Sequence, residues 1–118
     1  SHPVGAHTDV HHGLANAIVL PHVMAFNKPA AASRLKDVAN AFGCNTFNAS
    51  DPEAADMAVR AVRDLLSGIH IPNRLSATGV TEALIPDLAA QAIADASHTT
   101  NPRPCTEADL AALYRAAL

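Results

Sequence analysis

Apolar residues return every three or four positions along most of the chain, a 3.6-residue period that predicts helices. The clearest stretch follows Ser50-Asp51-Pro52-Glu53. There Met57, Ala58, Ala61, Val62, Leu65, Leu66 and Ile69 make one stripe. The Ser50 hydroxyl and the Glu53 carboxylate are spaced to satisfy free N–H groups at the helix start, and Asp51 complements the dipole. Asp56, Arg60 and Asp64 lie four apart on the opposite face, a solvated row of charges that adds little stability. Gly68 and Pro72 end the helix.

Upstream, Leu14, Ala17, Ile18 and Val23 predict a helix from about His12 to Phe26, kinked by Pro21. Asn27-Lys28-Pro29 predicts a break. A second helix, about Ala30 to Phe42, carries Leu35, Val38, Ala39 and Phe42, with Gly43 as its cap. Residues 1 to 11 are a Pro-, Gly- and His-rich lead-in. Downstream, a connector with Pro72, Asn73 and Gly79 leads to a helix ending near Ala96. Leu84, Ile85, Leu88, Ala92 and Ile93 face inward, and Pro86 marks a short turn before the main helix. Asn101-Pro102-Arg103-Pro104 reads as rigid and extended, because proline disfavours the α conformation in the residue before it. Thr106-Glu107-Ala108-Asp109, a second capping box, opens a last helix with Leu110, Leu113, Tyr114 and Leu118 apolar. Ile69-His70-Ile71 alternates for too short a stretch to make a strand. The pattern predicts an all-α, five-helix, bundle-like fold.

Composition supports this. With 118 residues, 49% hydrophobic, the chain suits one packed domain. Aromatic residues are only 3% and Trp is absent, so the core is built from Ala, Leu, Val and Ile. An all-β fold would want more β-branched and aromatic residues. A net charge of −3 and few aromatics argue against nucleic-acid binding. The apolar run Leu14 to Phe26 is too short for a membrane span and is interrupted by Asn16, Pro21 and His22. No basic segment leads into an apolar run as in a signal peptide. Cys44 and Cys105 lack framework spacing and read as reduced, buried thiols of a cytoplasmic protein. Charged residues are only 16%, which suggests surface covered by a partner or by further chain.

Seven residues are His, four of them in the first twelve positions: His2, His7, His11 and His12. A metal needs three or four converging ligands, and this spacing alone does not converge them. His7 and His11 could chelate only from a helix, which Gly5 and Asp9 disfavour. His11 and His12 would point in different directions. Spacing alone favours an exposed His-rich loop. Against that, His12 stands where a helix begins, and a helix N-terminus favours the neutral, metal-binding imidazole. Gly13 beside it permits close approach. His22, next to Pro21, reads as a packed, hydrogen-bonded side chain. There is no P-loop, G-x-G-x-x-G or G-x-S-x-G.

Two segments carry a resemblance. One is His2-Pro3-Val4-Gly5-Ala6, then His12-Gly13-Leu14-Ala15-Asn16-Ala17-Ile18-Val19-Leu20-Pro21-His22-Val23-Met24, then Asn27. The other is Thr100-Asn101-Pro102-Arg103-Pro104 followed by Thr106. Together with Gly68-Ile69, Pro72, Leu75, Gly79-Val80 and Ile85-Pro86, they closely resemble the C-terminal region of the iron-containing (group III) alcohol dehydrogenases. The likeness runs over essentially the whole chain.

The resemblance implies the C-terminal portion of a dehydroquinate-synthase-like fold. It also implies an NAD(P)-dependent oxidoreductase acting on a small alcohol or aldehyde, with Fe(2+) or Zn(2+) in an interdomain cleft. His12 matches the last of three His metal ligands. His2 matches the family's non-ligand active-site His, which lies near the nicotinamide and is implicated in proton transfer. The remaining His ligands, one Asp ligand and the dinucleotide-binding domain belong to a part of the family fold upstream of this match. His11 stands where the family commonly has Pro, and His7 where a bulky residue is common. The isolated chain is therefore expected to be inactive and to associate through an exposed apolar face, as a homo-oligomer or otherwise. The alternative is a stand-alone helical module that holds a surface metal through His2, His7, His11 and His12, or mediates assembly.

Overall fold

In the computed structural model, residues 2–8 and 11–118 are described, the side chains of 7 and 8 excepted. The described residues form five α-helices: α1 His2–Thr8, α2 His12–Ala41, α3 Asp51–Gly68, α4 Ile85–Ala94 and α5 Glu107–Ala117. Short 3-10 turns at Leu75–Thr78, Glu82–Leu84 and Ala96–Thr100 fill the connections, and no strand occurs among the described residues. The expected all-α class holds.

The elements differ from the sequence reading at the start. The lead-in contains a helix, α1, whose Val4 is fully buried. The two expected helices before Gly43 are both present within α2, joined across a kink. The backbone passes through Pro21 and Pro29 in helical geometry and leaves it only at Ala31 (φ −135°, ψ 22°). The expected break at Asn27-Lys28-Pro29 is thus a one-residue kink, two positions later. Ala30 and Ala32, strong helix formers on either side of Ala31, confine the disruption to that residue.

Two apolar cores lie along α2. Val4 of α1, Ala15 and Ile18 of α2, Leu75 and Val80 of the connector, Ile85 and Leu88 of α4, and Tyr114 and Ala117 of α5 form the first. The second joins Met24, Leu35 and Ala39 of α2 to Ala55, Ala58, Val59 and Val62 of α3. Alanine at so many α2–α3 contact positions lets the helices pack closely. This turns α3 relative to its expected stripe: its buried face is Ala54, Ala55, Ala58, Val59 and Val62, while Leu65 and Ile69 are 50% and 58% exposed. Asp56 pairs with Lys28 of α2.

Most local stop and start signals act as expected, but at α3 the Glu53 carboxylate meets the Ser50 hydroxyl rather than a backbone N–H, so the expected box is only half made. Ser50 caps α3 by accepting from the Glu53 N–H, and its hydroxyl donates to the Glu53 carboxylate. Thr106 and Asp109 form the full reciprocal box at α5. Gly43 (φ 85°) closes α2, with Cys44 N–H bonded to Ala39 C=O and Gly43 N–H to Asn40 C=O. At α3 the left-handed residue is not Gly68 but His70 (φ 63°). The bonds Ile71 N–H to Leu66 C=O and His70 N–H to Ser67 C=O make the same terminating motif around it.

Candidate functional site

The fold gathers histidines from distant parts of the chain beside one cleft of about 430 Å³. α1 brings His2, the middle of α2 brings His22 and Phe26, and the turn after α4 brings Asp95, Ser97 and His98. Cys105 and the α5 residues Leu110, Leu113 and Tyr114 complete the wall.

His12 is the first residue of α2 and is exposed. Its ring stacks on that of His2, with centroids 4.9 Å apart and planes inclined by 21°. The two candidate site histidines, ten positions apart in sequence, are therefore in contact. The Asn16 amide, one turn along, lies 3.1 Å from His12 Nε2 and donates to it, which makes that nitrogen the unprotonated one. Adjacent His11 does different work: its Nδ1 accepts from the Gly13 N–H at 3.1 Å and caps α2. Among the described residues no three His, Cys, Asp or Glu side chains converge as a metal site. The His7 side chain lies outside the described residues. An exposed imidazole with an unprotonated nitrogen fits one ligand of a metal, and these residues do not make a whole coordination shell.

His2 has a partner that sequence reading did not find. Its Nδ1 lies 2.9 Å from Asp95 Oδ2, 93 residues away. Asp95 is held in turn: its Oδ1 accepts from Ser97 N–H at 2.8 Å and from Ser97 Oγ at 2.6 Å. These bonds, the Ser97 hydroxyl first and His2 next, hold the Asp95 carboxyl well below the usual carboxylate range. The local D-x-S pattern could have suggested a turn cap, but nothing local points to His2.

His22, expected to be packed and hydrogen-bonded, is half-buried at the cleft, and its ring makes no hydrogen bond among the described residues. Burial lowers its pKa, and the Arg63 guanidinium pushes the same way. His98 Nε2 donates to the Ile93 carbonyl at 2.9 Å. Cys105 and Cys44 are free thiols, both half-buried rather than buried. Burial and then Asp109 push the Cys105 thiol up.

The Asn101–Pro104 stretch is extended at Asn101, as proline after it requires, and acts as a clasp. Asn101 and Asn27 exchange two amide hydrogen bonds of 2.7 and 2.9 Å. Asn101 also donates to the Arg103 carbonyl. The Arg103 guanidinium donates to the Phe26 carbonyl at 2.8 Å and lies over the Phe26 ring, 4.0 Å from its centroid. The segment that ends one wall of the cleft is thereby fixed to the middle of α2.

The model of the C-terminal part of the Fe-containing alcohol dehydrogenase family matches residues 1–118. The chain belongs to the iron-containing alcohol dehydrogenase family. It is 38% identical over 117 residues to a 1,3-propanediol dehydrogenase of Citrobacter freundii, and 39% identical over 117 residues to a lactaldehyde reductase of Escherichia coli K12. Each match covers 99% of this chain but only 30% and 31% of those relatives. A crystal structure of 1,3-propanediol oxidoreductase superposes with a TM-score of 0.96 at 37% identity, over 99% of this chain and 31% of that one. Both quoted segments, around His2 to Asn27 and around Asn101, fall inside this family match, and the clasp joins them physically.

Proposed function

We propose that this chain is the C-terminal helical part of a metal-dependent NAD(P) alcohol dehydrogenase or aldehyde reductase. The family match over the whole chain supports this, and so does the nature of its relatives, which act as a propanediol dehydrogenase and a lactaldehyde reductase. The observation that carries the site assignment is the stacking of His2 on His12 beside the cleft.

In this reading His12 is one ligand of an Fe(2+) or Zn(2+) ion, the other ligands coming from family positions upstream of residue 1. The metal, when bound, supplies Lewis acidity toward an alcohol or carbonyl oxygen, and the nicotinamide carries the hydride. The chain's own residues bind and orient. Val19, Val23, Phe26 and Leu113 give the cleft an apolar wall that accepts a short carbon chain and excludes water. His2, stacked on His12 and with Nε2 not engaged by Asp95, would hold and pass the proton, and would help to hold the nicotinamide. His22 stays neutral beneath the cleft. Free Cys44 and Cys105 suit a cytoplasmic setting. Exposed Leu20, Leu65 and Ile69 suit association with further chain or a second copy.

The test is the full product of the reading frame that encodes these residues, loaded with Fe(2+) or with Zn(2+). It should reduce NAD+ or NADP+ in the presence of a short primary alcohol, and His12→Ala should abolish this. Failure with every small alcohol and aldehyde, under both metals, would overturn the reading.

A further inference from the structure

We propose that Asp95 is a positioning residue for His2, fixing its ring orientation and its tautomer so that Nε2 is the nitrogen left free to exchange a proton. This rests on the reading of His2 as the proton-transfer residue, but its geometry is independent of it. An ionised carboxylate only accepts hydrogen bonds, so the 2.9 Å contact from Asp95 Oδ2 requires the proton on His2 Nδ1. In the neutral imidazole, Nε2 then carries the lone pair.

Asp95 can impose this because it is itself fixed. It caps the turn Ala96–Thr100, and Ser97 gives its other oxygen two donors. The carboxylate cannot rotate without breaking both. On the opposite side the His2 ring is held by stacking on His12. His2, Asp95 and Ser97 all line the same cleft, so the assembly faces the space where a substrate would sit.

The arrangement makes Asp95→Asn an inverting substitution. Ser97 needs an acceptor, so the amide oxygen of the variant stays with Ser97. The amide NH2 then faces His2, donates to Nδ1 and forces the proton to Nε2.

Side-chain 15N spectra of the histidines at about pH 9, where ordinary imidazoles are neutral, read the tautomer directly. The expected result is a His2 protonated at Nδ1 in the unaltered chain and at Nε2 in Asp95→Asn. His98, whose Nε2 donates to the Ile93 carbonyl, should stay Nε2-protonated in both and marks an intact fold. His2 protonated at Nε2 in the unaltered chain would overturn the proposal, whatever the variant does. So would an Asp95→Asn chain with the His98 marker kept and the His2 pattern unchanged. The measurement needs no metal, nicotinamide or turnover, so absence of dehydrogenase activity would sink the functional reading and leave this one standing.

Discussion

At His22 the two effects on the imidazole act in one direction. Burial and Arg63 both favour the neutral ring. A histidine whose folded pKa lies below its unfolded one binds fewer protons folded, so stability falls as pH drops below about 6.5, toward the folded value. An NMR titration should place His22 below 6.5, and Arg63→Gln should move it upward. Asp95 obeys the carboxylate sign. Its folded pKa is depressed, so its contribution is complete above the ordinary value of 3.8 and is lost as pH falls below it. His70 is a backbone question. A non-glycine residue at φ 63° is strained, so His70→Gly should raise stability by about 0.5–1 kcal/mol, read by denaturant unfolding. Destabilisation there would show that the His70 side chain makes contacts that outweigh its backbone. At this scale the sequence was informative where interactions are local. Ser50, Thr106 and Gly43 act within four residues and follow from spacing. The pairing of His2 with Asp95 spans 93 residues and has no local sign.

Among the elements, α2 carries most of the organisation, because its two ends serve different cores. Its two prolines predict two helices, and the two meet across the kink at Ala31 rather than at Pro29. The Ala-rich stretch after Pro29 confines the disruption to Ala31, a competition that pattern reading does not weigh. The burial of α3 was misread by part of a turn for a related reason. Leu65 and Ile69 attract attention as large apolar residues, yet alanines make the closest helix contact. The clasp is an element-scale prediction. Asn27→Ala and Asn101→Ala should each cost about 1–3 kcal/mol, since each leaves a half-buried amide without its partner. The double variant should cost less than the sum, with a coupling of about 1 kcal/mol in a double-mutant cycle. Strict additivity would mean the paired amides do not hold the segment to α2. In the connector, fully buried Leu75 should cost about 2–5 kcal/mol on truncation to Ala, and 88%-exposed Phe47 under about 0.5.

At the scale of the whole molecule, the described residues make five helices and two small cores beside one cleft. The family and the all-α class were legible because the segments around His2 to Asn27 and around Asn101 carry distinctive residues, and those segments meet in the fold. The chain spans less than a third of the two relatives compared, and among the described residues no three His, Cys, Asp or Glu side chains converge as a metal site. The central claim is that His12 serves a metal held mainly by family positions outside these residues. The most direct test is metal content of the full reading-frame product, purified with Fe(2+), with His12→Ala and His11→Ala compared side by side. His11 caps α2 and has no place in the proposed site. The account predicts that His12→Ala loses the metal while His11→Ala keeps it. Metal unchanged by His12→Ala, or lost equally from both variants, would contradict it.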